Sequence, residues 1–157
     1  MICGIDPGLT GGISFIHNDE IVAERVPVLT IKKKKFLDLV KIINRLDLYK
    51  PERVFIEKQQ AMPGQGVSST FRTGFNYGIY LGTFVSLGIR YTEVSPRKWK
   101  SDLGVSSNKD EARQRATELM PNAANNWLLK CEDGVAEAAM IAYWGRQQST
   151  LSKKGCR

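Results

Sequence analysis

The stretch MICGIDPGLTGG at residues 1–12, with ISFI at residues 13–16, determines how the chain begins to fold. The apolar side chains that precede Asp6 predict a short buried strand, and Pro7 followed by three glycines predicts a turn. The apolar run at 13–16 predicts a returning strand and therefore a hairpin. Asp6 then falls at the end of the first strand, where sheets built from alternating strands and helices commonly hold functional groups.

Strand and helix patterns alternate along the remainder of the chain. The spacing of apolar residues and the positions of capping residues and prolines predict the elements that follow. The first are a strand at 20–28, a helix at about 33–48, a strand at 53–57 and a loop at 58–66. The chain then continues with a helix at 68–87, a strand at 89–94, a loop through the basic segment 97–100, a helix from Asn108 to before Pro121, and a last helix at 132–147. This order predicts an α/β fold, a mixed sheet flanked by helices. We expect one domain at 1–150, followed by a basic, flexible tail at 151–157.

Gly74, Gly78 and Gly82 lie four residues apart and therefore on one face of the predicted helix at 68–87. Each glycine costs roughly 1 kcal/mol relative to alanine inside a helix. The stripe therefore predicts a close backbone approach, either by the sheet or by a second subunit.

The composition favours an anionic partner. Lysine and arginine total 23 against 16 aspartate and glutamate, a formal net charge of +7 in 157 residues. Nucleic acid is one explanation of this charge, and a solvated surface is the other. The three cysteines form no C-x-x-C pair, and no apolar run approaches the roughly 18 residues that cross a bilayer. Neither a secretion signal nor a disulfide framework is indicated, so we expect an intracellular, cytoplasmic protein without membrane contact.

Four acidic residues are candidates for chemistry. Asp6 and Glu57 end predicted strands, whereas Asp133 and Glu137 lie four apart on one helix face. Like charges brought together need a neutralising cation, and oxygen-only ligands suit Mg²⁺ or Mn²⁺. Two such ions about 3.5–4 Å apart can activate water and stabilise the leaving oxygen in phosphodiester hydrolysis. Any one of these acids, taken alone, is more commonly a solvated surface group.

The segments GIDPG (4–8), VFIEK (54–58) and DGVAEAA (133–139) resemble, in the same order, the three acidic motifs of RuvC-like Holliday-junction resolvases of the RNase H-like superfamily. The resemblance spans nearly the whole chain. It implies an RNase H-like mixed five-stranded sheet and a Mg²⁺-dependent endodeoxyribonuclease, with Mn²⁺ as a substitute. It also implies two ions per active site and a homodimer that makes paired nicks in four-way junctions or related branched DNA. Asp6, Glu57, Asp133 and Glu137 would be both the catalytic acids and the metal ligands.

One motif departs from the usual family pattern. Many RuvC proteins carry two aspartates three residues apart, whereas this chain has Asp133 and Glu137 four apart, which is more similar to relatives from phages and plastids. A helix keeps either spacing on one face, and the longer glutamate side chain compensates for the extra step. Glu132 is the alternative to Asp133. The resemblance further implies that Lys100 and Lys109 lie near the scissile phosphate and stabilise charge there.

The DNA-binding candidates are basic, amide and aromatic side chains. Lysines at a helix start are disfavoured by the macrodipole, so phosphate contacts would explain the run at 32–35, although a solvated face is the alternative. Family members stack a residue near the crossover, but the position after Glu57 here is not aromatic, and Phe71 or Phe75 could substitute unless they belong to the core. The full set is Lys32, Lys33, Lys34, Lys35, Gln59, Gln60, Phe71, Arg72, Phe75, Arg97 and Lys98.

Three other functions compete with this interpretation. An RNase H-like nuclease could act on other DNA or RNA structures. A non-catalytic junction-binding protein would have little reason to keep all four acids. An actin-like ATP-binding module shares the first motif, but it needs two lobes and a second phosphate loop that this chain lacks.

Overall fold

The computed structural model describes residues 1–154 and contains a central sheet covered by helices. Its strands are β1 (Ile2–Ile5), β2 (Gly12–His17), β3 (Glu20–Arg25), β4 (Val28–Ile31), β5 (Lys34–Leu37), β6 (Arg53–Glu57) and β7 (Tyr91–Val94). Its α-helices are α1 (Leu39–Tyr49), α2 (Val67–Ser86), α3 (Pro96–Leu103), α4 (Lys109–Leu119) and α5 (Asp133–Lys154), with 3₁₀ turns at Pro121–Trp127 and Lys130–Glu132.

The main sheet has five strands in the order β3-β2-β1-β6-β7. β1 pairs antiparallel with β2 and parallel with β6, and β6 pairs parallel with β7. The predicted mixed five-stranded sheet flanked by helices is therefore confirmed. β4 and β5 form a separate two-stranded hairpin.

Alternation of side chains along the central strands builds a core on each face of the sheet. On one face, Cys3, Ile5 and Val54 belong to the cluster that includes buried residues of α1 and α2. On the other face, Ile2 and Phe55 belong to the cluster formed by α3, α4 and α5. The sheet is thus covered on both sides, as an α/β architecture requires.

Glycines allow α5 to lie directly on β1 and β2. A Cβ atom at Gly4 would collide with the backbone of Ala138 and Ala142, and one at Gly12 would collide with the backbone of Gly134. This close approach determines how α5 sits against the strand that ends at Asp6. It therefore brings the first turns of α5 to the carboxyl end of β1.

The predicted helix at 33–48 is wrong in its first part. Residues 34–37 pair with Val28–Ile31, and the helix begins only at Leu39, where the Asp38 side chain accepts the Lys41 N–H at 3.2 Å. Lys32 and Lys33, with φ of 46° and 65°, form the hairpin turn. Strand pairing overrides a helical apolar spacing here, and the lysines are not at a helix start.

The segment predicted as a loop at 97–100 is also wrong, because it lies in α3. Pro96 occupies the first turn of this helix, and the Ser95 hydroxyl accepts the Lys98 N–H at 3.4 Å. A proline stops a strand but also favours the first helical position, and the second effect applies here. The last helix runs to Lys154, past the predicted end at 147. Of the predicted flexible tail, residues 155–157 lie outside the described residues.

The sheet does not explain the glycine stripe of α2. Cβ atoms at Gly74, Gly78 and Gly82 would meet nothing within 4 Å in the described part of the chain. The alternative of a second subunit remains a prediction. No helix within residues 1–154 combines the length and apolar character needed to cross a membrane.

Candidate active site

Two acidic side chains extend the ends of adjacent parallel strands. β1 and β6 are in register, with Ile5 opposite Ile56, so Asp6 and Glu57 follow at equivalent positions. The Asp6 backbone N–H donates to Gly12 O at 3.1 Å, and the Gly8 N–H donates to Asp6 Oδ1 at 3.4 Å. The turn after β1 therefore holds Asp6 at the sheet edge.

Asp6 is the centre of an acidic cluster. Burial, together with the negative charges of Glu137 and Glu57, raises the pKa of Asp6 to about 7, although the Gly8 N–H and Lys100 lower it in part. Asp6 and Glu57 follow adjacent parallel strands, and the close packing of α5 on Gly4 and Gly12 brings its first turns to the same end of the sheet. The negative charge of the cluster favours the binding of a cation.

Glu57 is held by an indole and an amide. The Trp99 Nε1–H donates to Glu57 Oε2 at 2.9 Å, and the Gln59 amide donates to Oε1 at 3.4 Å. Burial raises the pKa of Glu57, while the Trp99 hydrogen bond lowers it. Trp99 is fully buried on α3, so it provides a rigid donor that orients this carboxylate.

The two acids of α5 have different partners. Glu137 Oε1 lies 2.7 Å from Lys100 Nζ, whereas Asp133 lies 3.3 Å from Lys109 Nζ and 3.2 Å from Arg113 Nη1. Asp133 thus faces the cations of α4. The alternative acid, Glu132, is half-buried and its carboxylate accepts the Leu129 N–H at 2.8 Å.

The oxygen donors of Asp6, Glu57, Asp133 and Glu137 fit Mg²⁺ or Mn²⁺ in chemistry. Within residues 1–154, however, no three acidic, histidine or cysteine side chains are gathered in ligand geometry. Glu137 and Asp133 are engaged by basic side chains. A divalent ion would therefore compete with these ammonium and guanidinium groups for the carboxylate oxygens.

A groove borders the turn that follows Asp6. It has a volume of about 930 Å³ and lies between the β4–β5 hairpin and the N-terminal half of α2. We call it the aromatic groove. It contains six of the predicted DNA-binding residues, Lys33, Lys34, Lys35, Phe71, Arg72 and Phe75.

Phe71 and Phe75 are 73% and 55% exposed, and their rings stack with centroids 6.4 Å apart. The alternative that these two phenylalanines belong to the core is therefore wrong. They present aromatic faces at the aromatic groove.

The other predicted DNA-binding residues lie elsewhere. Gln59 contacts Glu57 and lines a smaller cavity, and Gln60 is exposed in the loop after β6. Lys32 is exposed at the hairpin turn. Arg97 and Lys98 are exposed on α3, where Lys98 Nζ lies 2.9 Å from Asp102.

The sequence did not predict that two residues beside the acids, Trp99 and Arg113, belong to the site. Arg113 follows Lys109 by four residues, and this spacing on a helix signals that the two share a face. Trp99 had no such signal, because its role depends on the helix α3 that the sequence did not predict.

Comparison with known proteins adds a family context to this geometry. No family model matches the chain. Over 92 residues, 57% of this chain, it is 28% identical to the chloroplastic Holliday junction resolvase MOC1 of Chlamydomonas reinhardtii, and the match spans only 10% of that longer protein.

Solved structures show the fold. Thermus thermophilus RuvC in complex with a Holliday junction substrate superposes with a TM-score of 0.63 and 15% identity, covering 95% of this chain and 96% of RuvC. The yeast mitochondrial Holliday junction resolvase Ydc2 gives a TM-score of 0.61 and 19% identity, covering 97% and 80% of the two chains. The chain therefore has the RuvC-like variant of the RNase H-like fold, as the three acidic motifs predict.

Proposed function

We propose that this chain is a Mg²⁺-dependent endodeoxyribonuclease that resolves Holliday junctions and related branched DNA. The observation that carries the proposal is that Asp6 and Glu57 end adjacent parallel strands and Glu137 of α5 is linked to the same site, since Lys100 contacts both Glu137 and the Trp99 ring whose N–H donates to Glu57. The fold shared with two solved junction resolvases supports the same activity.

Asp6, Glu57, Asp133 and Glu137 would hold the metal, as two ions per active site, with Mn²⁺ as a substitute. When bound, the ions would supply an activated water and positive charge for the leaving oxygen of the phosphodiester. Asp6 must lose its proton to act as a ligand, and its raised pKa makes this step sensitive to pH near neutrality. Trp99 keeps Glu57 oriented during this exchange.

Lys100 and Lys109 would stabilise the negative charge that develops on the phosphate oxygens. Both ammonium groups already lie beside acids of α5, at 2.7 Å and 3.3 Å. A basic group released from its carboxylate partner is free to contact DNA. Arg113, which was not among the predicted site residues, also contacts Asp133 and would likewise contact DNA once released.

The DNA would lie along the basic side chains of the aromatic groove, where Lys33 to Lys35 and Arg72 neutralise phosphates and Phe71 and Phe75 stack on bases. We propose the remaining candidates, Lys32, Gln59, Gln60, Arg97 and Lys98, as flanking contacts. A four-way junction has two-fold symmetry and needs paired cuts, so the active form would be a homodimer. The exposed glycine stripe of α2 would be its interface. We propose that the enzyme acts in the cytoplasm of its cell, or of a host if the chain is viral.

Cleavage of a labelled synthetic four-way junction by the purified protein tests the proposal. We expect symmetric nicks near the crossover only when Mg²⁺ or Mn²⁺ is present. Asp6→Asn should abolish cleavage while leaving junction affinity nearly unchanged, and Asp47→Asn on the exposed side of α1 is the matched control. Retained Mg²⁺-dependent cleavage by Asp6→Asn would contradict the mechanism.

Competition between junction, replication fork, duplex and structured RNA separates the junction resolvase from its rivals. Equal cleavage of all branched DNA would indicate a broader nuclease, and preference for RNA would indicate an RNase. Tight junction binding without cleavage under any metal would indicate the non-catalytic binding protein.

A further inference from the structure

Asn76 is a buried amide that the active site described above does not use. It lies on α2, the residue is 8% exposed, and its amide makes no side-chain hydrogen bond within residues 1–154. The fully enclosed side-chain atoms that lack a partner in this part of the chain are Ser14 Oγ and Tyr80 OH, so the Asn76 amide reaches the solvent of the clefts beside it. An amide held in this way can offer its donor and its acceptor to a ligand without breaking a hydrogen bond of the protein.

Asn76 lines two adjoining cavities. One is the aromatic groove. The other is a cavity of about 200 Å³ that also touches Pro7 and Gly8, in the turn that carries Asp6, and Arg72. The amide thus lies between the turn of the acidic cluster and the surface where DNA is proposed to bind.

We propose that Asn76 is a specificity-determining residue whose amide hydrogen-bonds the edge of an unpaired nucleobase held in the aromatic groove. This inference rests on the proposed function. Aromatic faces such as those of Phe71 and Phe75 stack on bases, and Lys33 to Lys35 supply cations for the phosphates of the same strand.

The hydrogen-bonding groups of the amide match those of a base better than those of a phosphate. It offers a donor and an acceptor side by side, which matches the adjacent acceptor and donor on a base edge. A phosphate has only acceptor oxygens and would leave the amide carbonyl unpaired. The apolar aromatic walls of the groove also suit the face of a base better than they suit a charged group.

The test compares bases with shape-matched analogues that cannot form hydrogen bonds. Each thymine at the core of a four-way junction is replaced in turn by difluorotoluene, and kcat/KM is measured for the wild-type protein and for Asn76→Ala. At one position the wild-type protein should cleave the natural junction faster, on the order of 10-fold, whereas Asn76→Ala should cleave both junctions at the same rate. Junctions that carry each of the other bases at that position are then compared in the same way, and the difference in kcat/KM shows which base edge the protein prefers.

Thermal unfolding of the DNA-free protein distinguishes this role from a structural one. Asn76→Leu should have an unchanged or higher Tm, since it breaks no side-chain hydrogen bond within residues 1–154. A lower Tm for Asn76→Leu, together with unchanged discrimination in Asn76→Ala, would assign Asn76 a structural role and overturn the inference. Asn44→Ala, an exposed asparagine of α1, is the control and should keep the wild-type discrimination.

The failures of the two proposals are distinguishable. Junction cleavage with the same discrimination in wild type and Asn76→Ala would overturn the inference and leave the nuclease in place. A wild-type protein that shows no discrimination at any core position also overturns it, whatever the variant does. Absence of cleavage of every junction would contradict the proposed function itself.

Discussion

The ammonium nitrogen of Lys100 lies 2.7 Å from a carboxylate oxygen of Glu137 and 5.1 Å from the centre of the Trp99 ring. This contact joins α3 to α5 across the acidic cluster. The positive charge lowers the pKa of both Asp6 and Glu57, which burial and their neighbours raise. Lys100 therefore keeps more of the cluster ionised before a metal arrives.

Replacing Lys100 by methionine should slow cleavage and move its pH dependence. Loss of one charge-stabilising group typically costs about 10²-fold or more in kcat. Because Lys100 lowers the pKa of Asp6, its removal raises this pKa, and the acid limb of the pH–rate profile should move to higher pH. Lys41→Met, an exposed lysine of α1, should leave the profile unchanged. An unmoved acid limb in Lys100→Met would contradict this electrostatic role.

Trp99→Phe tests whether the indole N–H orients Glu57. The phenylalanine keeps much of the buried ring but cannot donate the 2.9 Å hydrogen bond, so cleavage or metal affinity should fall about 10- to 100-fold. Trp144→Phe is a matched control, since Trp144 donates the same kind of hydrogen bond, at 2.7 Å, to Asp102, which is not one of the four acids. Titration of cleavage against Mg²⁺ for both variants measures the difference. Equal losses in the two variants would show that packing, not orientation of Glu57, is responsible.

The metal-free protein should lose stability as the pH rises from about 4 to about 7. Asp6 ionises near 3.8 in an ordinary environment but near 7 in the folded protein, so the folded state binds the extra proton across this window. Its contribution to the free energy of unfolding is therefore present at low pH and lost as the pH passes 7. Mg²⁺ should restore stability at pH 8, because it favours the ionised carboxylates.

Asp6→Asn provides the control for this pH effect. The amide cannot ionise, so metal-free Asp6→Asn should be more stable than the wild type at pH 8 and show a flatter pH dependence. Each kcal/mol corresponds to a Tm difference of roughly 2–4 °C in a protein of this size. Thermal unfolding in EDTA from pH 4 to 8 measures it. A wild-type Tm that rises steadily with pH across the window would contradict the assignment.

The three sequence motifs predicted the positions of the four acids because a strand end and a helix face are local features of a sequence. Asp6 follows a buried strand, and Glu57 follows the next parallel strand, so their proximity can be anticipated from topology. The partners of these acids could not be anticipated in the same way. Trp99 reaches Glu57 across 42 residues, and Arg113 reaches Asp133 across 20. Such contacts depend on how α3 and α4 pack, which no local pattern specifies.

The error in the predicted helix at 33–48 has a tertiary cause. Phe36, Leu39, Val40 and Ile43 fit a helical period, yet Phe36 belongs to β5, because pairing with β4 determines the conformation there. Tertiary pairing overrode local spacing in that case. This hairpin also gives the lysines a different setting, at the wall of a groove and not at the start of a helix.

Gly4→Ala should damage both stability and activity. An added Cβ would meet backbone atoms of Ala138 and Ala142, which cannot move aside as a side chain can, so α5 must shift. Overpacking of this kind costs about 1–3 kcal/mol, and the shift would also displace Glu137 from Asp6. Gly66→Ala, where a Cβ meets nothing within 4 Å, should cost less and leave cleavage unchanged, its expected loss coming only from alanine being a poorer N-cap for α2 than glycine. Chemical denaturation and junction cleavage measure the two effects, and a wild-type profile for Gly4→Ala would contradict the tight packing of α5 on β1.

Gly78→Leu tests the proposed dimer interface on α2. Within the described chain the space above Gly78 is open, so the leucine should leave the folded protomer intact, and replacing a helical glycine favours the helix by up to roughly 1 kcal/mol. If a second copy packs against this stripe, the leucine keeps the two backbones apart and the dimer dissociation constant should rise by at least about 10-fold. Sedimentation equilibrium with and without junction DNA measures this constant, with Gln114→Leu on α4 as the control on the other side of the sheet. Paired nicks should then give way to single nicks, since each protomer carries one set of acids. A Gly78→Leu protein that remains a dimer and still makes paired nicks would place the interface elsewhere.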